Sequence, residues 1–345
     1  MFKMNEAYFK QQLEKLLAID STTGFFRPIQ DYIEKEIKAL GYEYEETHKG
    51  GVMAVMNAGG GNPLLITAHL DDIGLIVRHV NDNGTLRVDK VGGLHPEYAL
   101  CENVRVYTRK GEFYTGSVQK VNASVHVTED DVAAQALDYA KNICVVLDEE
   151  VKNASDVKAL GIDTGCMIAL EPRLTYSGEF IKSRFLDDKV AAAIVLAGMK
   201  AVRDEGIKLN REVIMHFGMY EEIGHGTSWI PERVKDLLAI DIACTGPAQN
   251  SDEHKVTVFA KDSRFPYHYE MMNELIDAAI KGGVDYVTDI FTPHYGTDGD
   301  TSIVAGYDIR HAAIGQGTAN SHGYERCHMD GIRNTYALMM EYISL

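Results

Sequence analysis

Residues 64–71 read Leu64-Leu65-Ile66-Thr67-Ala68-His69-Leu70-Asp71. The first five are almost wholly apolar. That is the composition of a strand covered on both faces, as in parallel sheets flanked by helices. A His and an Asp follow at the C-terminal end, the edge where open α/β sheets build their ligand sites. In extended chain, residues two apart point the same way, so His69 and Asp71 share a side. An imidazole with a carboxylate to orient it suits a metal site, although ordinary strand ends carry the pair too.

Before this strand, apolar residues fall at helical spacing over 4–19 and again over 26–40, the second run stopping at Gly41. Strand-like runs at 43–48 and 52–57 precede the 64–69 strand. Beyond residue 186 the pattern predicts a helix over 188–204 that stops at Gly206. It then predicts strands over 213–220, 237–242 and 254–260, a helix over 266–281, strands near 285–291 and 308–315, and a final helix from about 329. Strands alternating with helices predict a mostly parallel α/β sheet with helices on both faces. The texture differs over 75–120, where short strands alternate with turn signals at Asn83-Gly84, Gly92-Gly93 and Lys110-Gly111. A helix over 129–140, a short segment near 153–160 and a β-like piece at 167–182 complete that region. The expectation is one α/β domain, 1–73 with 171–345, interrupted by a small β-rich module at 74–170.

The bulk numbers exclude several functions. The 345 residues carry 34 Lys and Arg against 51 Asp and Glu, a formal charge of −17. Such acidity argues against nucleic-acid binding and against docking on an anionic membrane. The longest apolar run, near 190–199, is far short of the ~20 residues of a membrane span. Met1-Phe2-Lys3-Met4-Asn5-Glu6 turns polar at once, without a signal-peptide apolar region. Five scattered cysteines, with no closely spaced pair, read as reduced thiols of a cytoplasmic protein.

Four further places put metal-binding side chains at or beside strand ends. Asp187-Asp188 precedes a helix, where an Asp caps or complements the dipole, and one of the pair is free to point into a site. Glu221-Glu222 follows a buried strand. Two adjacent acids there are costly unless something positive meets them, and adjacent side chains diverge. Asp241 is flanked by apolar pairs and is either paired structurally or a ligand. His322 lies in the loop Ser321-His322-Gly323-Tyr324-Glu325. Together His69, Asp187, Glu222, Asp241 and His322 supply two imidazoles and three carboxylates. If one carboxylate bridges, each of two metals receives the bridge, one His and one further carboxylate. Such open N/O sites suit zinc first, with cobalt or manganese as alternatives. Glu221 then fits the general base.

These motifs resemble, in order, those of the glutamyl and deblocking aminopeptidases, a family that includes tetrahedral aminopeptidases with two co-catalytic metals. The matching stretches are Thr67–Gly74, Lys182–Lys189, Glu221–Gly224, Ala239–Asp241 and Ser321–Glu325. Val91-Gly92-Gly93 and the Val125-His126-Val127 region resemble the family's inserted, barrel-like dimerisation domain. The resemblance implies that Asp187 bridges the metals, with His69 and Asp241 on one and Glu222 and His322 on the other. It implies that Glu221 is the base, that Asp71 supports His69 and that Asp188 is structural. Gly296-Thr297-Asp298 resembles a segment near the substrate, which makes Asp298 a candidate substrate contact. The chain departs from the family at Lys189, where many relatives have Arg, and at Gly224–Trp229, which leaves His225 beside the site or on a surface turn. The implied activity is removal of N-terminal residues from peptides by a homo-oligomer, a dimer or a dodecameric shell. Rival readings are a deacylase or carboxypeptidase-type amide hydrolase, a glycosidase using two carboxylates, which would not need the two imidazoles, and a non-catalytic scaffold.

Overall fold

The computed structural model describes residues 2–209 and 211–344. The chain forms two compact units, Met1–Asp71 with Arg173–Leu345, and Asp72–Pro172.

In the first unit, Leu64–His69 lies at the centre of a mixed, mostly parallel sheet. Every residue of this strand is buried, as its apolar composition requires. Parallel neighbours are Val213–Gly218 on one side and Asp236–Ile240 on the other, and Asp236–Ile240 pairs in parallel with Arg310–Ala319. The register sets His69 beside Gly218 and Ile240 beside Ile314. The segments that follow these four strands, at residues 70, 219, 241 and 320, therefore emerge from one edge. Antiparallel strands Val52–Met56 and Val256–Lys261 extend the sheet on either side.

One packed layer joins Leu65, Ile214, Leu237, Ala239, Phe259 and Ala313 of the sheet to Ile230, Tyr267 and Phe291. The helix Leu186–Asp204 packs on the central strand and against the helices Glu6–Leu17 and Met329–Ile343. Its stretch 190–199 is apolar on all sides, and Leu186–Met199 is buried throughout. Its end is set by Gly206, whose φ of 62° is inexpensive only for glycine.

The second unit is a closed six-stranded barrel of Gly74–Val80, Leu86–Val91, Ile143–Leu147, Phe113–Lys120, Asn103–Tyr107 and Met167–Leu170, all paired antiparallel. The Asn83-Gly84 turn joins the first two strands, with Gly84 at φ 82°. The helix expected over 129–140 is reduced to Asp130–Ala133. Its apolar residues have helical spacing but no core to meet, and most of 121–140 is exposed. So short a helix without a packed face is marginal.

Among the described residues, no helix is long and apolar enough to cross a membrane.

Candidate active site

His69 closes the central strand and is buried. Its backbone N–H donates to Asp188 Oδ2 at 3.3 Å. Its Nδ1 lies 3.0 Å from the carbonyl oxygen of Asp71, so that ring nitrogen carries the proton and Nε2 faces the site. Nε2 is 3.1 Å from Asp187 Oδ1 and 3.7 Å from Glu221 Oε2. Asp71 therefore meets His69 mainly through its carbonyl. Its carboxylate accepts from the backbone N–H groups of Glu221 at 3.1 Å and Glu222 at 3.4 Å, and from the Thr23 hydroxyl at 2.7 Å. It thus fixes the turn that carries both glutamates.

Asp187 and Asp188 both have non-helical φ/ψ, at a kink between the turn that starts after Phe185 and the regular helix that follows Asp188. The Asp187 carboxylate lies between the two imidazoles, with Oδ2 3.5 Å from His322 Nε2. The same His322 nitrogen is 3.4 Å from Glu222 Oε2. The structure thus brings His69, Asp187 and Asp241 into one cluster, and Asp187, Glu222 and His322 into another. The donor atoms of each lie within 4.8 Å of one another, and Asp187 belongs to both.

The backbone is strained at three points around these clusters. Phe185, Tyr220 and His322 have φ of 65°, 68° and 62°, a region costly for side chains with a Cβ. Each lies at, or within two residues of, a candidate site residue. Glu325 holds two of these segments together, since it accepts from the N–H of Asp187 at 3.1 Å and of His322 at 3.0 Å. Glu325 belongs to the Ser321–Glu325 motif, but nothing in the sequence marks it as a backbone tie.

Electrostatically the site is crowded with acid. Burial raises the proton affinity of Glu221, Glu222 and Asp188 well above the usual carboxylate range. Burial and the Asp187 charge push Asp241 up to about 7. Burial opposes ionisation of Asp187 also, but hydrogen bonds with His322 and His69 outweigh it and hold Asp187 below its ordinary value. So many buried carboxyls around two imidazoles are expensive without added positive charge.

Asp298 is buried and turned inward. Its Oδ2 accepts from the Thr67 hydroxyl and its Oδ1 from the Thr227 N–H, both at 3.0 Å. It ties the central strand to the loop after Glu222. His225 is exposed. That loop is held instead by Lys49, whose Nζ donates to the carbonyls of His225 and Gly226 and to Ser228 Oγ. No sequence signal singled out Lys49, since a lysine beside a Gly-Gly turn reads as surface.

A Cβ at Gly226 would collide with Asp298 Oδ1. Gly226→Ala is expected to leave the circular-dichroism spectrum unchanged and to lower kcat about 100-fold, because displacements near 1 Å cost that much in a positioned site. Wild-type kcat in this variant would show that the Asp298 contact does not position the site.

A family model described as M42 glutamyl aminopeptidase matches residues 50–338. The YhfE protein of Bacillus subtilis (strain 168) is 35% identical over 335 residues, 96% of each chain. A TET aminopeptidase from a marine-sediment Thaumarchaeota archaeon superposes with a TM-score of 0.88 at 16% identity, over 97% of this chain and 96% of that one. The TET1 peptidase of Pyrococcus horikoshii, which assembles into a tetrahedron or a large octahedral shell, gives 0.83 at 19% identity, over 97% and 99%.

Proposed function

The chain belongs to the M42 glutamyl aminopeptidase family, and from that premise we propose that it removes N-terminal residues from peptides at a two-metal site with Glu221 as general base. It is an aminopeptidase, a hydrolase of peptide bonds. The observation that carries the finer reading is the position of Asp187, whose two oxygens lie 3.1 and 3.5 Å from the two imidazoles.

The donor set fits two divalent ions. His69, Asp187 and Asp241 would hold one, and Glu222, His322 and Asp187 the other. Each set mixes imidazole nitrogen with carboxylate oxygen, which suits zinc, cobalt or manganese, and three protein donors leave room for water and substrate. Two such ions would also offset the buried acid. When bound, they supply a lowered water pKa and a polarised scissile carbonyl. Glu221 Oε2, near His69, takes the proton of the attacking water and returns it to the leaving amine nitrogen. Asp71 fixes the turn that carries Glu221 and Glu222 by holding both backbone N–H groups. His69 keeps its tautomer through the Asp71 carbonyl.

The experiment is a panel of peptides with free and with acylated N-termini, assayed with and without chelator. Hydrolysis confined to free amines and abolished by chelator is expected. Preference for acylated substrates would favour a deacylase, and chelator-insensitive cleavage would overturn the metal reading.

A homo-oligomer, a dimer or a TET-like dodecamer, is part of the same proposal. It is supported by Val121, Val125 and Val127 of the barrel unit, which are 57%, 68% and 86% exposed, since clustered exposed apolar residues mark interaction surfaces. Five free cysteines support a reducing, cytoplasmic setting.

A further inference from the structure

A second convergence of imidazole and carboxylate groups involves none of the residues assigned above. His254 precedes the strand Val256–Lys261, His328 ends the strand Glu325–His328, and Asp330 lies in the first turn of the helix Met329–Ile343. Asp330 Oδ2 is 3.1 Å from His254 Nδ1 and 3.3 Å from His328 Nδ1. One donor atom from each of the three residues lies within 4.8 Å of the others.

A helix-cap network accounts for part of this arrangement. His328 Nδ1 accepts the Asp330 N–H at 3.1 Å, which is an ordinary capping bond. The Asp330 carboxylate meets His254 Nδ1 through Oδ2 at 3.1 Å, which leaves the approach of that oxygen to His328 without a hydrogen bond. In a neutral imidazole a nitrogen that accepts carries no proton, so His328 Nδ1 donates nothing to Asp330 Oδ2, and two acceptor atoms stand 3.3 Å apart. A cation placed between them relieves that contact. Donors about 3.3 Å apart are also what metal bonds of about 2.0–2.1 Å at tetrahedral angles require.

The surroundings orient the donors. The two imidazole rings lie 4.0 Å apart, and Phe180 meets His328 edge-on at 4.7 Å. Arg333 Nη1 holds the other Asp330 oxygen at 2.8 Å, the kind of outer partner that fixes a ligating carboxylate. His328 is buried and His254 exposed, so the site opens to solvent on one side.

We propose that His254, His328 and Asp330 form a separate site for one divalent transition-metal ion per chain, which clamps the loop before Val256 to the start of the C-terminal helix. Two nitrogens and one oxygen select borderline ions such as Zn²⁺ or Ni²⁺ over Mg²⁺ or Ca²⁺. Because the ion competes with the Asp330 amide for the His328 Nδ1 lone pair, binding is weaker than at a dedicated structural site. Binding to the folded chain alone raises its melting temperature.

The test equilibrates the full-length enzyme and the variants His254→Ala and Asp330→Asn with low-micromolar free zinc and measures zinc per chain. Wild type is expected to hold one equivalent more than either variant, and zinc is expected to raise the melting temperature of wild type above that of His254→Ala. Peptidase turnover should agree within about twofold between wild type and His254→Ala, because exposed substitutions away from such features are close to neutral. Equal zinc in wild type and His254→Ala overturns the proposal. The readout is a difference between proteins, so it stands whatever number of ions the peptidase site holds. His254 is exposed, so its loss does not endanger folding if Asp330→Asn frays the helix.

Discussion

Glu221→Gln is expected to lower kcat on aminoacyl substrates by about 10²–10⁴-fold, the usual worth of a positioned general base, with bound metal unchanged. Glutamine keeps the shape and one acceptor oxygen but cannot take a proton. The geometry separates this residue from its neighbour. Glu221 Oε2 is 3.7 Å from His69 Nε2, whereas Glu222 Oε2 is 3.4 Å from His322 Nε2. The two side chains diverge as neighbours on a turn that Asp71 fixes through both of their backbone N–H groups. Burial pushes the Glu221 carboxyl upward, which makes its carboxylate a stronger base. Metal analysis and steady-state kinetics on the purified variant check the outcome. A rate near wild type refutes Glu221 as the base, and loss of an ion would make it a ligand instead.

Asp187→Ala is expected to release both metal equivalents and to abolish turnover, by about 10³-fold or more if the ions contribute several kcal/mol to the barrier. Asp187 is the one residue common to both donor clusters, so its loss leaves each with one imidazole and one carboxylate. Chelation of the wild-type enzyme should reach the same inactive state, with recovery on adding zinc, cobalt or manganese. The variant should not recover at equal metal concentration. The backbone N–H of Asp187 remains held by Glu325, so a native circular-dichroism spectrum is expected. An Asp187→Ala protein that keeps one ion and substantial activity would refute the shared ligand.

Sequence reading was strongest where burial is continuous. The apolar run Leu64–Ala68 is a fully buried central strand, and the apolar stretch after Asp188 is a fully buried helix. It was weakest where a pattern lacked a partner. The helical spacing over 129–140 produced only Asp130–Ala133, because periodicity records an apolar face but not whether a core exists to cover it. The strand expected at 308–315 runs from Arg310 to Ala319. Its glycine-containing second half, Gly315–Thr318, reads as loop by composition, yet Gly315 and Gly317 are needed there. A Cβ on either would collide with the carbonyl oxygen of Asp241 or Asp252.

Most residue types at the candidate site are legible because they end an apolar run, whereas His322 lies in a polar loop and is marked only by its motif. His69 closes one strand, Glu221 and Glu222 follow another, and Asp241 follows a third. Unfavourable burial of a polar group is a local property, so it shows in local sequence. Direction is not local. The Asp187 carboxylate stands between two imidazoles, the Asp298 carboxylate turns inward to Thr67 and Thr227, and the Glu325 carboxylate ties Asp187 to His322. These orientations follow from left-handed backbone at Phe185, Tyr220 and His322 and from hydrogen bonds between residues far apart in the chain. No periodicity encodes a backbone angle held by a distant carboxylate. The residues therefore announced the chemistry, and the packing of the sheet edge decided which oxygen meets which nitrogen.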